Sequence, residues 1–179
     1  MVTKTRLTLD EYLALPDEPP YFEYLDGEVV RKPMPKRKHR RLAHKIDVAL
    51  DALLTRYGGD AGPEGHVWFD AARHWRVPDL VYWAPDKPQG DDDVALPPTL
   101  AVEILSPGQP MQDLRDKCRF YRENGVDVCW AVDPEARIVE VFDGELDGAG
   151  FREGETLASF WLPGFALALS DLFAVLDRP

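Results

Sequence analysis

The chain has 179 residues, 45% of them hydrophobic and 30% charged, ordinary proportions for a globular domain with its own core. No apolar run reaches the roughly 20 residues that span a bilayer, and Met1 to Asp10 lacks the apolar core of a signal peptide, so a cytoplasmic protein with no membrane partner is expected. A net charge of −11 excludes a general nucleic-acid coat, yet RKPMPKRKHRRLAHK, from Arg31 to Lys45, holds eight basic residues and no acid.

Thr8 with Glu11 three residues on forms a capping box, and Leu7 with Tyr12 suits the hydrophobic staple around it. A short helix is expected from Leu9 to Leu15, stopped by Pro16. Asp26-Gly27 between two β-prone runs predicts a hairpin of Tyr21–Leu25 and Glu28–Arg31. Leu42, Ile46, Ala49, Leu50, Leu53 and Tyr57 recur at helical spacing from His39 to Tyr57, and Gly58-Gly59 ends that helix. Arg37, Arg41 and Lys45 then form a strip along its first turns. Val67-Trp68-Phe69 begins a strand that continues past a turn towards Trp75.

Pro78 opens a strand over Asp79–Trp83, a position where proline is tolerated. Lys87–Pro98, with Asp91-Asp92-Asp93, reads as an exposed loop. Leu100–Leu105 and Val128–Val132 are strands apolar on both faces, as in a sheet covered on both sides. Between them a helix is expected from Met111 to Asn124, closed by Gly125. Ile138–Phe142 pairs back after Asp133-Pro134, Gly144–Gly154 reads as a glycine-rich loop, and Ser170–Leu176 as a last short helix. With no repeat and no linker, residues 1–179 are expected to form one domain.

Cys118 and Cys129 lie in apolar patterns and are expected as buried thiols, with no CxxC to support a zinc site. The four histidines show no HxxxH or HExxH spacing.

Glu103 is the most informative residue. Alternation sets Leu100, Val102 and Ile104 on one face of its strand and Ala101, Glu103 and Leu105 on the other. A carboxylate there is costly to bury unless it is paired, protonated or bound to a metal. Pairing with a basic neighbour in the core is the bland alternative. Asp79 alone would be a turn or cap residue; together with Glu103 it gives two acids on neighbouring strands, the oxygen donors a hard cation needs. Lys117 falls on the inward stripe with Leu114, Cys118 and Tyr121. Its alternatives are an ion pair with Asp113 or a stem covering core surface.

This order of features resembles the PD-(D/E)XK nucleases. More narrowly, YFEYLDGE, VPDLVYWAP, LAVEILSP, DLRDKCRFY, VDVCWAVDPE and LPGF, in this order from about Leu9 to Leu176, resemble the Uma-two family of restriction-endonuclease-like proteins. The resemblance implies an α/β restriction-endonuclease-like fold, a mixed central β-sheet flanked by helices. It also implies Mg²⁺, or Mn²⁺, held by Asp79 and Glu103, with Glu23 as a further acid of the site. An exposed hairpin residue is the other reading of Glu23. Gln109 and Asp113 are outer candidates. The superfamily lysine two residues after Glu103 is replaced by Leu105, and Lys117 takes its place from the following helix.

The activity so implied is hydrolysis of DNA phosphodiesters by a metal-activated water, assisted by Lys117. Lys36, Arg37, Lys38, Arg40, Arg41 and Lys45 would grip the backbone, or simply solvate a helix start. Two other functions stay open: a nuclease-fold binding or assembly module with an idle site, favoured by the net charge and the missing strand lysine, and a hydrolase of another phosphate compound. A homodimer would suit a domain that cuts one strand, with Trp68, Trp75 and Trp161 as candidate contacts.

Overall fold

The computed structural model describes residues 5–16, 18–90, 94–144 and 148–178. A two-residue strand β1 (Thr5–Arg6) leads to helix α1 (Leu9–Leu13), whose N-terminus carries the Thr8–Glu11 capping box. Strands β2 (Phe22–Leu25) and β3 (Glu28–Arg31) form the expected hairpin. Asp26 at φ 47° and Gly27 at φ 93° both take the left-handed conformation that a two-residue turn between twisted strands requires. Helix α2 (Arg37–Tyr57) buries Leu42, Ile46, Leu50 and Leu53 at the predicted spacing, together with His39.

Strand β4 (Asp60–Pro63) follows, then β5 (Val67–Phe69) and β6 (His74–Arg76), an antiparallel pair joined by a single 3-10 turn. Next come β7 (Leu80–Trp83), β8 (Leu100–Ile104), helix α3 (Met111–Glu123), β9 (Val128–Asp133) and β10 (Ile138–Phe142). The chain closes with β11 (Ala149–Arg152), β12 (Thr156–Leu157), β13 (Leu167–Ala168) and helix α4 (Leu169–Phe173).

Six strands form the main sheet in the order β11-β10-β9-β8-β7-β4; β8 and β9 run parallel and the other pairs antiparallel. The sheet is mixed and flanked by helices, as the fold class requires. On one face Leu80, Val102, Ile104, Trp130 and Val132 pack against α2 and α4. On the other, Val81, Ala101, Cys129 and Ala131 pack against Leu114, Cys118 and Tyr121 of α3. Strand alternation therefore sends Glu103 to the α3 face. A second sheet, β1-β3-β2-β6-β5, has its own core of Tyr12, Tyr24, Val29 and Trp75. It joins the main sheet through Val77-Pro78-Asp79, and that junction is where the acids meet.

Several expectations need correction. Gly144–Gly154 is not a loop throughout: Ala149–Arg152 extends the sheet beside β10 by backbone pairing, with Phe151 packed against the core. β4 has no hydrophobic alternation because it is an edge strand, exposed at both ends, and β12 and β13 are too short to show a pattern. Trp75 cannot serve a dimer contact, being buried 5.7 Å from the Trp68 ring and 6.4 Å from that of Tyr12. Trp161 is partly exposed beside the largely exposed Phe160. Asp91-Asp92-Asp93 lies outside the described residues. Cys118 and Cys129 are buried free thiols, 2.8 Å apart. No helix among the described residues is long and apolar enough to cross a membrane.

Leu114 anchors α3 at the heart of its layer, almost fully buried. Leu114→Ala should cost about 2–5 kcal/mol, measured by equilibrium urea denaturation; a cost within experimental error would show that α3 is not fixed by this side chain.

Candidate active site

The ladder between β7 and β8 pairs Leu80 with Val102, so one further step sets Asp79 opposite Glu103. The Asp79 N–H donates to the Val102 carbonyl at 3.0 Å, and its Oδ2 accepts the Ile104 N–H at 2.7 Å. Asp79 thus stitches the end of the two strands through both its backbone and its side chain. Likewise β2 and β6 pair Tyr24 with Trp75, which sets Glu23 opposite Arg76. The two sheets bring these pairs together at their junction. Glu23, Asp79 and Glu103 are all buried.

Each acid has basic partners. Lys32, just past β3, places its Nζ 2.7 Å from Asp79 Oδ1 and donates to the Val77 carbonyl at 2.7 Å. His39 on α2 lies with Nε2 2.9 Å from Asp79 Oδ2. An ionised carboxylate only accepts, so that nitrogen carries the proton. His39 Nδ1 is buried with no partner among the described residues. Lys117 on α3 bridges Glu23 Oε1 at 3.2 Å and Glu103 Oε1 at 3.3 Å. Tyr121, one turn further on, donates to Glu103 Oε1 at 2.7 Å. Arg76 reaches Glu23 Oε2 at 3.4 Å, with its guanidinium 4.7 Å from the Phe120 ring centre, and the Val77 N–H donates to Glu23 Oε1 at 3.3 Å.

Three carboxylates therefore face three permanent cations. The acids respond differently. Burial pushes Glu103 up; Lys117 opposes this only in part, and the charges of Asp79 and Glu23 add to it. Burial would also raise Asp79, but Lys32 and His39 outweigh it and hold the carboxyl well below the usual range. Glu23 is lowered too, its burial outweighed by Lys117, Arg76 and Lys32. Lys117 is held above its ordinary value: burial opposes its charge, but Glu103 and Glu23 prevail. Burial and the Glu103 charge push the Tyr121 phenol far up, so it serves as a hydrogen-bond donor.

The sequence-predicted Glu23, Asp79, Glu103 and Lys117 are thus in one network. The ion pair of Lys117 with Asp113 does not form; α3 turns the lysine inward to Glu103 instead. Gln109 and Asp113 stay outside, with Gln109 Oε1 accepting the Ser106 N–H within its own turn. Lys32, His39, Arg76 and Tyr121 complete the network and are not singled out by the sequence. The positions of Lys32 and His39 in a basic run look solvated, and Tyr121 reads as core.

A cleft of about 250 Å³ opens beside Asp79 between α2 and the β4–β7 edge, lined by His39, Arg40, His44, Asp47 and Glu64. Lys36, Arg37, Lys38 and Arg40 are exposed on the turn of α2 that carries His39, so this basic cluster adjoins the site. Lys45 is half-buried, and Arg41 turns away, its guanidinium donating to the Arg178 carbonyl at 2.7 Å.

Oxygen-rich, crowded and buried, the acid pair suits a hard divalent cation. Glu103 Oε2 accepts no hydrogen bond among the described residues, and its carboxyl is raised first by burial and then by the negative charges of Asp79 and Glu23, which a cation would offset. No three His, Cys, Asp or Glu groups among the described residues are grouped to hold one ion. Glu23 and Asp79 each have both oxygens engaged by neighbouring groups, whereas Glu103 is met only at Oε1.

A buried acid junction served by a lysine from the following helix thus lies at the end of the β7–β8 ladder, inside a mixed sheet flanked by helices. Residues 9–170 match the family model Uma2, "Putative restriction endonuclease", and the chain belongs to this family. The fold is also that of a "putative nuclease belonging to DUF820" from Anabaena variabilis, which is 24% identical with a TM-score of 0.81 over 95% of this chain and 99% of that one. No curated protein matches the chain.

The raised Glu103 carboxyl predicts a pH signature. An acid raised by folding costs stability once ionised, so stability rises as pH falls through its elevated value from above. Metal-free wild type should gain melting temperature relative to Glu103→Gln as pH drops from neutral towards the usual carboxylate range. Asp79, being lowered, loses its contribution only at more acidic pH. A difference between the two proteins that stays flat with pH would contradict this.

Proposed function

We propose that the chain is a metal-dependent endonuclease that hydrolyses DNA phosphodiesters at the Asp79–Glu103 junction. The convergence of Asp79, Glu103 and Lys117 from a strand entrance, a strand and a helix carries this reading. Asp79 and Glu103 would hold Mg²⁺ or Mn²⁺, which supplies charge neutralisation for the phosphate and acidifies a bound water. Glu23 acts from behind, holding Lys117 towards Glu103. Lys117, kept protonated by its two acids, stabilises negative charge gathering on the phosphoryl oxygens. Water oxygen bonds to phosphorus, the P–O bond to one sugar breaks, and a proton from the water ends on the leaving oxygen. Exposed Lys36, Arg37, Lys38 and Arg40 lie where they would hold the strand next to the cleft.

With Mg²⁺ or Mn²⁺ at low salt, wild type should nick supercoiled plasmid. Glu103→Ala and Lys117→Ala should each lower the rate by about a hundredfold or more. Equal nicking by all three proteins would place the activity elsewhere. Replacing Lys36, Arg37 and Arg40 by Gln should flatten the dependence of log affinity on log salt by about one for each phosphate no longer neutralised; an unchanged slope would remove this turn from the interface.

A binding module with an idle site is the second reading, favoured by one observation: three cations already neutralise the three acids. A protein that neither nicks DNA nor RNA nor binds Mn²⁺ would be such a module.

A further inference from the structure

The acid cluster is already neutral, and this constrains how it can take a metal. A divalent cation entering beside Asp79 and Glu103 would leave two excess positive charges in a buried site. Uncompensated buried charge is costly, so a resident cation must give way. Arg76 is braced: its guanidinium lies over the Phe120 ring, meets Glu23 and contacts His74 Nδ1 at 3.5 Å. Lys117 is braced as well, pinned from α3 by two carboxylates at once.

Lys32 differs from both. It stands on the irregular connection between β3 and α2, and among the described residues Asp79 is the only acid it pairs with. Its other partner is the Val77 carbonyl, a neutral acceptor. Its side chain is 10% exposed, less than those of Arg76 and Lys117, so what sets it apart is its single acid partner and its place on an irregular segment. It also occupies Oδ1, the Asp79 oxygen that neither His39 nor the Ile104 N–H uses.

We propose that Lys32 is the internal counter-ion of this site: it competes with the divalent cation for Asp79 and, once displaced, is a second lysine that contacts the scissile phosphate. The substrate half of this proposal rests on the nuclease reading above; the competition half does not. A lysine suits the exchange because its ammonium sits on a flexible four-carbon stem and carries donors that turn freely. Metal entry and release of a substrate-binding cation then become one event, and the acids are never left unneutralised.

The test is Mn²⁺ titration of the metal-free full chain, reading free Mn²⁺ by electron paramagnetic resonance, for wild type, Lys32→Met and Lys32→Arg. Melting curves and plasmid nicking at saturating Mn²⁺ accompany it. Lys32→Met should bind Mn²⁺ about tenfold tighter or more, the scale on which one nearby charge alters a carboxylate. It should also melt lower without metal and nick more slowly at saturation. Lys32→Arg should bind Mn²⁺ as wild type does. Should Lys32→Met fail to fold, Lys32→Gln carries the same expectations.

Equal or weaker Mn²⁺ binding by the neutral variant overturns the proposal while leaving a metal site intact. Tighter binding with undiminished nicking overturns the substrate role of Lys32. Tighter binding in a protein that nicks nothing, wild type included, upholds the counter-ion and removes the nuclease reading. Absence of Mn²⁺ binding by every variant overturns both.

Discussion

A buried carboxylate must be neutralised, and this fold buries three of them where its two sheets meet. Much of the local architecture answers that demand. Asp79 closes the end of the β7–β8 ladder with its backbone and side chain, so the residue proposed as a metal ligand is also a structural rivet. Glu23 ties the second sheet to α3 through Arg76 and Lys117. Glu103 is the member left most strained, with its charge opposed by burial and by two like neighbours. Stability and chemistry therefore draw on the same ionic cluster, and altering one acid is felt by every element that touches it.

Asp79 and Glu103 are legible in the sequence because an acid among β-branched and apolar neighbours stands out in a period of two. Lys117 is legible through the period of 3.6, which aligns it with Leu114, Cys118 and Tyr121. Glu23 is visible only by resemblance to a family; nothing in its hairpin shows that the residue faces another sheet. Lys32 is hidden for the opposite reason. Amid eight basic residues it looks like solvated charge, and only tertiary packing turns that one ammonium onto Asp79. His39 follows the same logic one helix turn later. Local patterns mark charges that are anomalous for their element, and they miss charges that are ordinary for theirs.

The fold shows a similar split. Long elements with a clear apolar period, α2, α3, β8 and β9, are readable from the sequence with close boundaries. β11 reads as loop because glycine and alanine give no alternation, although its backbone pairs fully with β10. Edge strands gain their hydrogen bonds from a neighbour and need little from their own side chains.

Charge distribution links site and substrate. The chain is acidic overall, yet its basic run, from Arg31, includes the counter-ion Lys32 and continues as the exposed first turn of α2, beside the cleft that reaches Asp79. The net negative charge would repel a polyanion, and this basic turn offsets that repulsion locally, which favours approach from the α2 side. The most direct measurement is the anomalous diffraction of a Mn²⁺-soaked crystal of the full chain. A peak bonded to Asp79 and Glu103, with Lys32 Nζ moved off Asp79, is the predicted result. A saturated soak with no peak at this junction, and Lys32 still on Asp79, would contradict the account.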